Sequence, residues 1–283
     1  MWSKEVALSI IPLIILNAFI AGSLLLFVIL RALGKIDVTK TRDEKFRTTA
    51  VLGATLRDFW PWFTGPVERA LIAAHVTPNL ISSMGFLLSC VAAGFYYLGH
   101  VGTAGYIIIL GATCDTFDGR VARATGQQTK SGAFYDAVLD RVGEAAVFMG
   151  IAAYFEGSFV MYIPIAALLG SLMVSYVKAR AEAMGVTCKE GLMQRPERLF
   201  LLCITSLFDP LVKAVGVEFG FADVHYLLIA AVAVIAALSW YTFFQRLYQG
   251  FNAVYDAFDK EKAEEDAAAL TGEPAVAQSE KKR

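Results

Sequence analysis

Residues 115–140 read DTFDGRVARATGQQTKSGAFYDAVLD, and this stretch decides how the rest of the chain is interpreted. It contains four aspartates in two pairs: Asp115 and Asp118 are spaced i, i+3, and Asp136 and Asp140 are spaced i, i+4. On α-helices, both spacings place the two carboxylates on one face. Two such faces turned toward each other gather the four carboxylates at one place. The flanking sequence is strongly apolar, so this charge needs a physical explanation.

The composition indicates a membrane protein. The 283-residue chain is 57% hydrophobic and 18% charged, with a mean hydropathy of +0.54, which is too apolar for an ordinary soluble domain. Residues 6–30 carry no charge, which is long enough to cross a bilayer core and too long for the core of a signal peptide. We therefore predict that this run stays as a transmembrane helix. The net charge of −1 gives no indication of a nucleic-acid partner, and none is predicted.

Cysteine and histidine offer no alternative metal site. The four cysteines lack CxxC spacing, and the three histidines are scattered along the chain. We interpret the cysteines as small apolar packing residues, because zinc sites and disulfide frameworks show closer and more regular spacings.

The sequence predicts an all-α integral membrane protein. Residues 1–35 are the extra N-terminal transmembrane helix, residues 36–55 a cytosolic linker, residues 56–258 the membrane domain and residues 259–283 a disordered cytosolic tail without aromatic residues. The membrane domain opens with an interfacial helix, because Trp60, Trp62 and Phe63 lie beside a short amphipathic stretch with Pro66 as a first helical residue. The alternative is an ordinary connector. Six spans follow, near residues 79–99, 102–123, 132–155, 159–184, 199–217 and 224–248, the last continuing toward residue 258.

Loop charges predict the orientation. Lys and Arg are concentrated between the second and third of these spans and between the fourth and fifth, whereas the alternate turns carry almost none. An excess of Lys and Arg marks the cytoplasmic side. We therefore predict a multi-pass protein of the cell membrane whose aspartate stretch faces the cytoplasm.

Carboxylates in a membrane are expected to be paired, metal-bound or functional. One alternative is a salt-bridge network with Arg120, Arg123 and Arg141 that fixes helix packing. Such a network does not need Gly119 and Gly132, whereas small residues let a ligand approach the backbone closely. Oxygen-rich clusters suit Mg²⁺ or Mn²⁺, and two carboxylate pairs can hold two such ions, as in many phosphoryl-transfer sites.

The stretch also resembles a family signature. The pattern is Asp115-x2-Asp118-Gly119-x2-Ala122-Arg123-x8-Gly132-x3-Asp136-x3-Asp140, and it is similar to that of the CDP-alcohol phosphotransferase family. The resemblance implies a core of six transmembrane helices preceded by an interfacial helix. It further implies an enzyme that moves a substituted phosphate from a CDP-alcohol to an acceptor hydroxyl and releases CMP. A homodimer is implied as well.

The resemblance also implies roles for individual residues. The four aspartates would bind two divalent ions, Mg²⁺ or Mn²⁺, and Asp140 would in addition accept the proton of the acceptor hydroxyl. The residues implied to contact the CDP-lipid, with CDP-diacylglycerol as the donor, are Asn79, Ser82, Gly119, Arg123 and Thr129. Electrostatic stabilisation of the leaving CMP and general-base activation of a hydroxyl agree with these roles.

The acceptor is less well indicated. Lys178 and Arg180 end the fourth core span, and Arg195 and Arg198 begin the fifth, so four cations from two helices are available for an acceptor phosphate. The alternative is that these cations only reflect the cytoplasmic charge bias. Both segments resemble the branch that makes phosphatidylinositol phosphate from inositol phosphate, which makes a phosphorylated polyol the predicted small hydrophilic acceptor. Glycerol phosphate is the rival acceptor.

A function of another class is cation or proton transport, because intramembrane acids also occur in transporters. Transporters often show inverted repeats with broken helices at the membrane midplane. The sequence shows no internal repeat, and the aspartates fall near the cytoplasmic ends of their predicted helices. These features favour the enzyme.

Overall fold

The structure is a computed structural model, and it describes residues 4–35, 54–186 and 191–271. Within these residues the chain forms eight α-helices and no strand. They are α1 (Lys4–Ala32), α2 (Ala54–Ala73), α3 (Pro78–Tyr97), α4 (Val101–Thr125), α5 (Lys130–Tyr154), α6 (Tyr162–Ala183), α7 (Arg195–Glu218) and α8 (Tyr226–Thr271). A single 3-10 turn at Phe159–Met161 leads into α6.

Among the described residues, four segments are long and apolar enough to cross a membrane: Pro78–Tyr97, Phe159–Ala183, Arg195–Glu218 and Tyr226–Asp259. The protein is therefore an integral membrane protein with several spans. Helices α4 and α5 are also long enough to cross a membrane, at 25 residues each, but they are less apolar because they carry the charged motif. The predicted start of the first core span is confirmed, since Thr77 is the N-cap of α3 and Pro78 its first residue.

The described chain divides into two compact units, residues 1–168 with 195–236 and residues 169–194 with 237–283. The first unit has a buried core contributed mainly by α3, α4, α5, α7 and the start of α8. Its largest members include Tyr96, Ile108, Phe148, Ile151, Leu202 and Ile235. These side chains are apolar on the faces turned toward neighbouring helices, which is what holds the helix bundle together.

Glycines let α3 approach α4 and α5 closely. A Cβ on Gly85 would lie 3.3 Å from the carbonyl oxygen of Gly111, and a Cβ on Gly150 would overlap the backbone of Ala93. A Cβ on Gly143 would lie 3.1 Å from Ser89 Oγ. Small residues at such crossings are typical of membrane helix packing. The close approach brings the polar ends of α3, α4 and α5 together.

Helix α1 packs on α2 through aromatic rings and one ion pair. The ring of Phe27 is fully buried and lies 5.3 Å from the ring of Trp62, measured between centroids. Phe59 also contacts Phe27, and Arg31 Nη1 lies 3.0 Å from Asp58 Oδ2. The sequence pattern predicted that Trp62 lies at the membrane interface. These contacts show that its ring also packs against other rings of the protein.

At the far end of the same unit, α7 is joined to the start of α8 by buried polar groups. Asp209 is completely buried, pairs with His225 and accepts a hydrogen bond of 3.0 Å from the backbone N–H of Leu228. Accepting from that N–H satisfies one of the donors that the first turn of α8 leaves open.

The second unit contains most of α6, residues 191–194 and most of α8. Arg246 is buried and donates to the carbonyl oxygen of Val174 at 3.1 Å, and Thr242 Oγ1 accepts from the N–H of Met193 at 3.0 Å. A Cβ on Gly191 would lie 2.8 Å from Thr242 Cγ2, so this position needs a glycine.

Three expectations need correction or restriction. Pro66 does not begin a helix: α2 starts at Ala54 and contains both Pro61 and Pro66 in its interior. The predicted disordered tail is wrong over its first part, because α8 continues to Thr271 through a segment rich in Ala, Glu and Lys, which are strong helix formers. The remainder of the tail and most of the predicted linker lie outside the described residues.

Candidate active site

Three of the four motif aspartates form a compact group. Among the described residues, Asp115, Asp118 and Asp136 each place a carboxylate oxygen within 4.8 Å of the other two. Like charges at this separation repel, so the group needs a cation or protons to be stable. The helical spacings place each aspartate pair on one face of its helix, and the packing of α4 against α5 brings three of these residues to one acidic point.

The turn between α4 and α5 sets their relative position. Helix α4 ends at Gly126, whose φ of 69° is left-handed, and whose N–H bonds to the carbonyl oxygen of Ala122. Helix α5 is capped by Thr129, whose Oγ1 accepts from the N–H of Gly132 at 3.0 Å. A Cβ on Gly132 would lie 2.9 Å from that hydroxyl and 3.3 Å from Asn79 Oδ1. The motif glycine is thus required where α3 and α5 begin.

Ser82 ties α3 to the acidic group. Its hydroxyl donates to Asp118 Oδ2 at 2.6 Å, and both residues are buried. A hydroxyl bonded to one carboxylate oxygen fixes the direction in which the carboxylate points. Ser82 was predicted to contact the CDP-lipid, and the structure places it directly behind a predicted metal ligand.

Arg195 joins the two aspartate pairs. Its Nη1 lies 2.8 Å from Asp115 Oδ2, and its Nη2 lies 2.8 Å from Asp140 Oδ1. This arginine is the first residue of α7, so the fifth predicted core span begins inside the acidic group. Asp140 also lies 3.7 Å from Arg141, a longer and more exposed contact. The structure therefore brings one of the four predicted acceptor cations to the predicted base.

Arg198 is engaged elsewhere. Its Nε and Nη2 donate to the two carboxylate oxygens of Glu144 at 2.7 and 3.1 Å, and its side chain is 2% exposed. The sequence reasoning did not single out Glu144. The signal was present, because Glu144 follows Asp136 and Asp140 at further steps of four residues and therefore shares their face of α5.

The other residues predicted to bind the CDP-lipid lie near the acidic group on three helix ends. Asn79, the second residue of α3, is exposed, as are Arg123 near the end of α4 and Thr129 at the cap of α5. A Cβ on Gly119 would lie 3.4 Å from Arg123 Nη1, so these two motif residues are neighbours.

The remaining predicted acceptor cations belong to the second unit. Lys178 and Arg180 are exposed near the end of α6, and Lys178 lies 3.8 Å from Glu182, one turn away. Their role in acceptor binding stays a prediction.

A salt-bridge network does exist, and it agrees in part with the expected one: Arg141 lies 3.7 Å from Asp140, whereas Arg120 contacts a glutamate outside the motif. Arg120 pairs with Glu68 on α2 and lies 3.4 Å from Thr64 Oγ1. Arg120 therefore links α2 to α4. Arg195, which the alternative of a packing network did not include, supplies the cation for Asp115 and Asp140.

The acidic group opens into a pocket. The polar residues that line it are Ser82, Ser89, Asp115, Asp118, Asp136, Asp140, Glu144 and Arg195. The donor set consists of carboxylate and hydroxyl oxygens, which Mg²⁺ and Mn²⁺ prefer, and the separation within 4.8 Å suits ligands of one ion. The residues present therefore fit a divalent cation. A carboxylate and an arginine at the edge of such a site can serve an incoming hydroxyl and a phosphate.

Comparison with known proteins gives a consistent picture. The family model described as CDP-alcohol phosphatidyltransferase matches residues 75–244, which contain every motif position. An archaetidylinositol phosphate synthase of Pyrococcus horikoshii is 37% identical over 189 residues, which is 65% of this chain and 90% of that protein. A phosphatidylinositol phosphate synthase of Mycobacteroides abscessus is 35% identical over 201 residues, which is 69% of this chain and 87% of that protein.

Solved structures show the same likeness. The phosphatidylinositol phosphate synthase of Mycobacterium tuberculosis with CDP-DAG bound superposes with a TM-score of 0.57 at 28% identity, covering 69% of this chain and 94% of that one. The same enzyme in complex with manganese and citrate gives a TM-score of 0.57 and covers 66% of this chain and 88% of that one.

Proposed function

This chain belongs to the CDP-alcohol phosphatidyltransferase family, and from that membership and the site geometry we propose that it makes a phosphatidylinositol phosphate. In this reaction the phosphatidyl group of CDP-diacylglycerol passes to a hydroxyl of inositol phosphate, and CMP is released. Transfer of a substituted phosphate is the family chemistry, and it replaces cation or proton transport as the explanation of the intramembrane aspartates.

The observation that carries the proposal is the contact of Arg195 with Asp140 at the edge of the acidic group. A hydroxyl that is also part of a phosphorylated molecule needs two things close together, a carboxylate for its proton and a cation for its phosphate. The pair supplies both within one hydrogen-bond length.

The metal ligands are proposed from the donor set. Asp115, Asp118 and Asp136 would hold one divalent ion. Asp140, together with the other aspartates, would complete the site for a second ion. Manganese in the related mycobacterial structure supports this choice of cation. When bound, the ions neutralise the carboxylates and polarise the diphosphate of the donor.

The chain's own residues supply the remaining steps. Asp140 accepts the proton of the acceptor hydroxyl, whose oxygen then bonds to the phosphorus that carries the diacylglycerol. The bond from that phosphorus to the bridging oxygen of the diphosphate breaks, and its electron pair leaves with CMP. Gly119, Arg123 and Thr129 would hold the cytidine nucleotide at the ends of α4 and α5, with Asn79 and Ser82 contributing from α3. The bidentate geometry of an arginine suits the phosphates of the leaving group.

For the acceptor phosphate, Arg195 is the strongest candidate. Arg198 is bonded by both oxygens of a buried Glu144, which favours a role in positioning over direct contact with the acceptor. Lys178 and Arg180 stay candidates for the acceptor phosphate on the sequence pattern alone. Glycerol phosphate has the same need for a cation, so it is the second candidate acceptor.

The membrane arrangement is proposed as follows. Helices α3 to α8 would be the six spans of residues 56–258, with α2 at the interface, α1 as an extra span within residues 1–35 and the C-terminal extension of α8 in the cytoplasm. The excess of Lys and Arg near the motif supports a site that faces the cytoplasm. There the lipid tails stay in the bilayer and the nucleotide in water. We propose a homodimer on family resemblance.

An acceptor screen tests the proposal. Purified protein in detergent with Mn²⁺ or Mg²⁺ is given CDP-diacylglycerol and, in parallel, inositol phosphate, glycerol phosphate, inositol or serine, and CMP release is measured. Two relatives are named archaetidylinositol phosphate synthases, so a CDP-activated archaetidyl lipid is included as a second donor. Release with inositol phosphate alone is the expected result. Preference for glycerol phosphate or for an unphosphorylated acceptor refutes the acceptor assignment, and no release with any acceptor refutes the activity.

A further inference from the structure

Helices α5 and α7 are joined by two cation–carboxylate contacts, one above the other. The upper contact, Arg195 with Asp140 at 2.8 Å, is the more exposed of the two, with side chains that are 23% and 15% exposed. The lower contact, Arg198 with Glu144 at 2.7 and 3.1 Å, is almost completely buried. Asp140 and Glu144 are four residues apart on α5, and the two arginines are three residues apart on α7, so each pair occupies adjacent turns of both helices.

Stability alone does not explain the lower pair, because burying two charges is energetically costly. The Arg198 side chain is 2% exposed and that of Glu144 is 5% exposed, so both charges have been removed from solvent. Desolvation of such a pair offsets much of its attraction, and apolar side chains of similar volume often stabilise a protein as well or better. What the ion pair provides is direction, because both oxygens of the carboxylate are bonded by one planar guanidinium.

That direction matters at the start of α7. Arg195 is the first residue of the helix, and helix ends fray when nothing holds them. Arg198 lies one turn further in, so fixing its guanidinium fixes both the rotation of α7 about its axis and its depth beside α5. Arg195 then has a single position from which it reaches Asp115 and Asp140.

We infer that Glu144 and Arg198 are positioning residues that hold Arg195 in the orientation required to receive the acceptor phosphate. The inference rests on the proposed function, since it assumes a phosphorylated acceptor. Neither residue touches the substrate in this scheme. Their effect passes through Arg195 and is therefore specific to the acceptor.

The first test compares Glu144→Gln with the wild type. We expect the KM for inositol phosphate to rise about ten-fold, which is the effect of losing roughly one charge-assisted contact, while kcat and the KM for CDP-diacylglycerol stay within about two-fold. A purely structural role would lower the amount of folded enzyme and leave both KM values unchanged. Arg198→Lys, which keeps the charge but not the two-oxygen geometry, should show the same selective change.

The double variant Glu144→Met with Arg198→Met separates stability from positioning. Its apolar side chains are expected to keep the unfolding temperature of the wild type, while the KM for inositol phosphate stays about ten-fold higher. This variant also covers the case in which the single substitutions do not fold. A double variant with wild-type KM overturns the inference.

A double-mutant cycle of Glu144→Gln and Arg195→Gln tests whether the change in acceptor KM passes through Arg195. Because the pair acts through Arg195, Glu144→Gln should add nothing further to the acceptor KM once Arg195 has been replaced. A fully additive change overturns the inference. The matched control is Asp209→Asn, which replaces a completely buried carboxyl group further along the same helix and should change stability without a selective change in acceptor KM.

The wild-type arm separates the two hypotheses. If the wild type does not use inositol phosphate or another phosphorylated acceptor, the proposed function has failed. If the wild type uses such an acceptor and Glu144→Gln leaves its KM unchanged, or raises the KM of donor and acceptor equally, the positioning pair has failed.

Discussion

Replacing Arg195 with Gln is expected to tighten divalent-cation binding while it lowers turnover. The guanidinium lies 2.8 Å from Asp115 Oδ2 and 2.8 Å from Asp140 Oδ1, so it shares these oxygens with any cation bound by the aspartates. Glutamine removes the positive charge and leaves the carboxylates available. The direction is opposite to that expected if Arg195 merely stabilised the fold of the site.

The magnitude follows from the contacts. A hydrogen bond to a charged group contributes about 1.5–3 kcal/mol, and Asp115 is the member of the three-aspartate group that Arg195 contacts. Releasing that single contact corresponds to about a ten- to hundred-fold tighter affinity for Mn²⁺. Repulsion between the guanidinium and the cation acts in the same direction. Turnover with inositol phosphate falls, because the acceptor phosphate loses its cation.

The assay is titration of detergent-purified protein with Mn²⁺, followed by electron paramagnetic resonance of the free ion, with no lipid or acceptor present. Arg141→Gln is the matched control, since Arg141 lies 3.7 Å from Asp140 and its side chain is 41% exposed, so its removal should change the affinity little. Unchanged or weaker Mn²⁺ binding by Arg195→Gln would refute the idea that Arg195 and the metal share carboxylates.

Three further outcomes are expected. Asp140→Asn should abolish CMP release while CDP-lipid binding persists, and retained wild-type activity would remove Asp140 from the role of base. Gly150→Ala should lower stability by about 1–3 kcal/mol, seen as a lower unfolding temperature in detergent, because its new Cβ overlaps a neighbouring backbone. Gly94→Ala, with no atom within 4 Å of its new Cβ, is the matched control; equal effects would contradict the close helix packing. Ser82→Ala should weaken Mn²⁺ binding about ten-fold by releasing the 2.6 Å bond to Asp118, and an unchanged affinity would show that the serine does not orient that carboxylate.

Much of the site could be predicted because it is local in sequence. Asp115, Asp118, Asp136 and Asp140 lie within 26 residues, and helical periodicity alone places each pair on one face. Long apolar runs likewise predicted the membrane helices, and the first core span, predicted from residue 79, agrees with α3, which begins at Pro78. These features depend on spacing along one helix, which the sequence records directly.

The partners of the charged residues could not be predicted in this way. Four cations were equivalent in sequence, and three of them have different partners in the structure: Arg195 contacts Asp115 and Asp140, Arg198 contacts Glu144, and Lys178 lies exposed beside Glu182. Which carboxylate an arginine meets depends on how α7 packs against α5, 54 residues away for the buried pair, and helical periodicity carries no information about that packing.

The sequence by itself therefore predicted a membrane protein of α-helices with a group of carboxylates suited to divalent cations, because both predictions follow from composition and from spacing within single helices. The tertiary structure decided which residues complete that site. Close glycine contacts bring α3 to α4 and α5, Ser82 reaches Asp118, and the first turn of α7 places Arg195 between Asp115 and Asp140. Those contacts join residues far apart in the chain, and only the packing of whole helices brings them within hydrogen-bond distance.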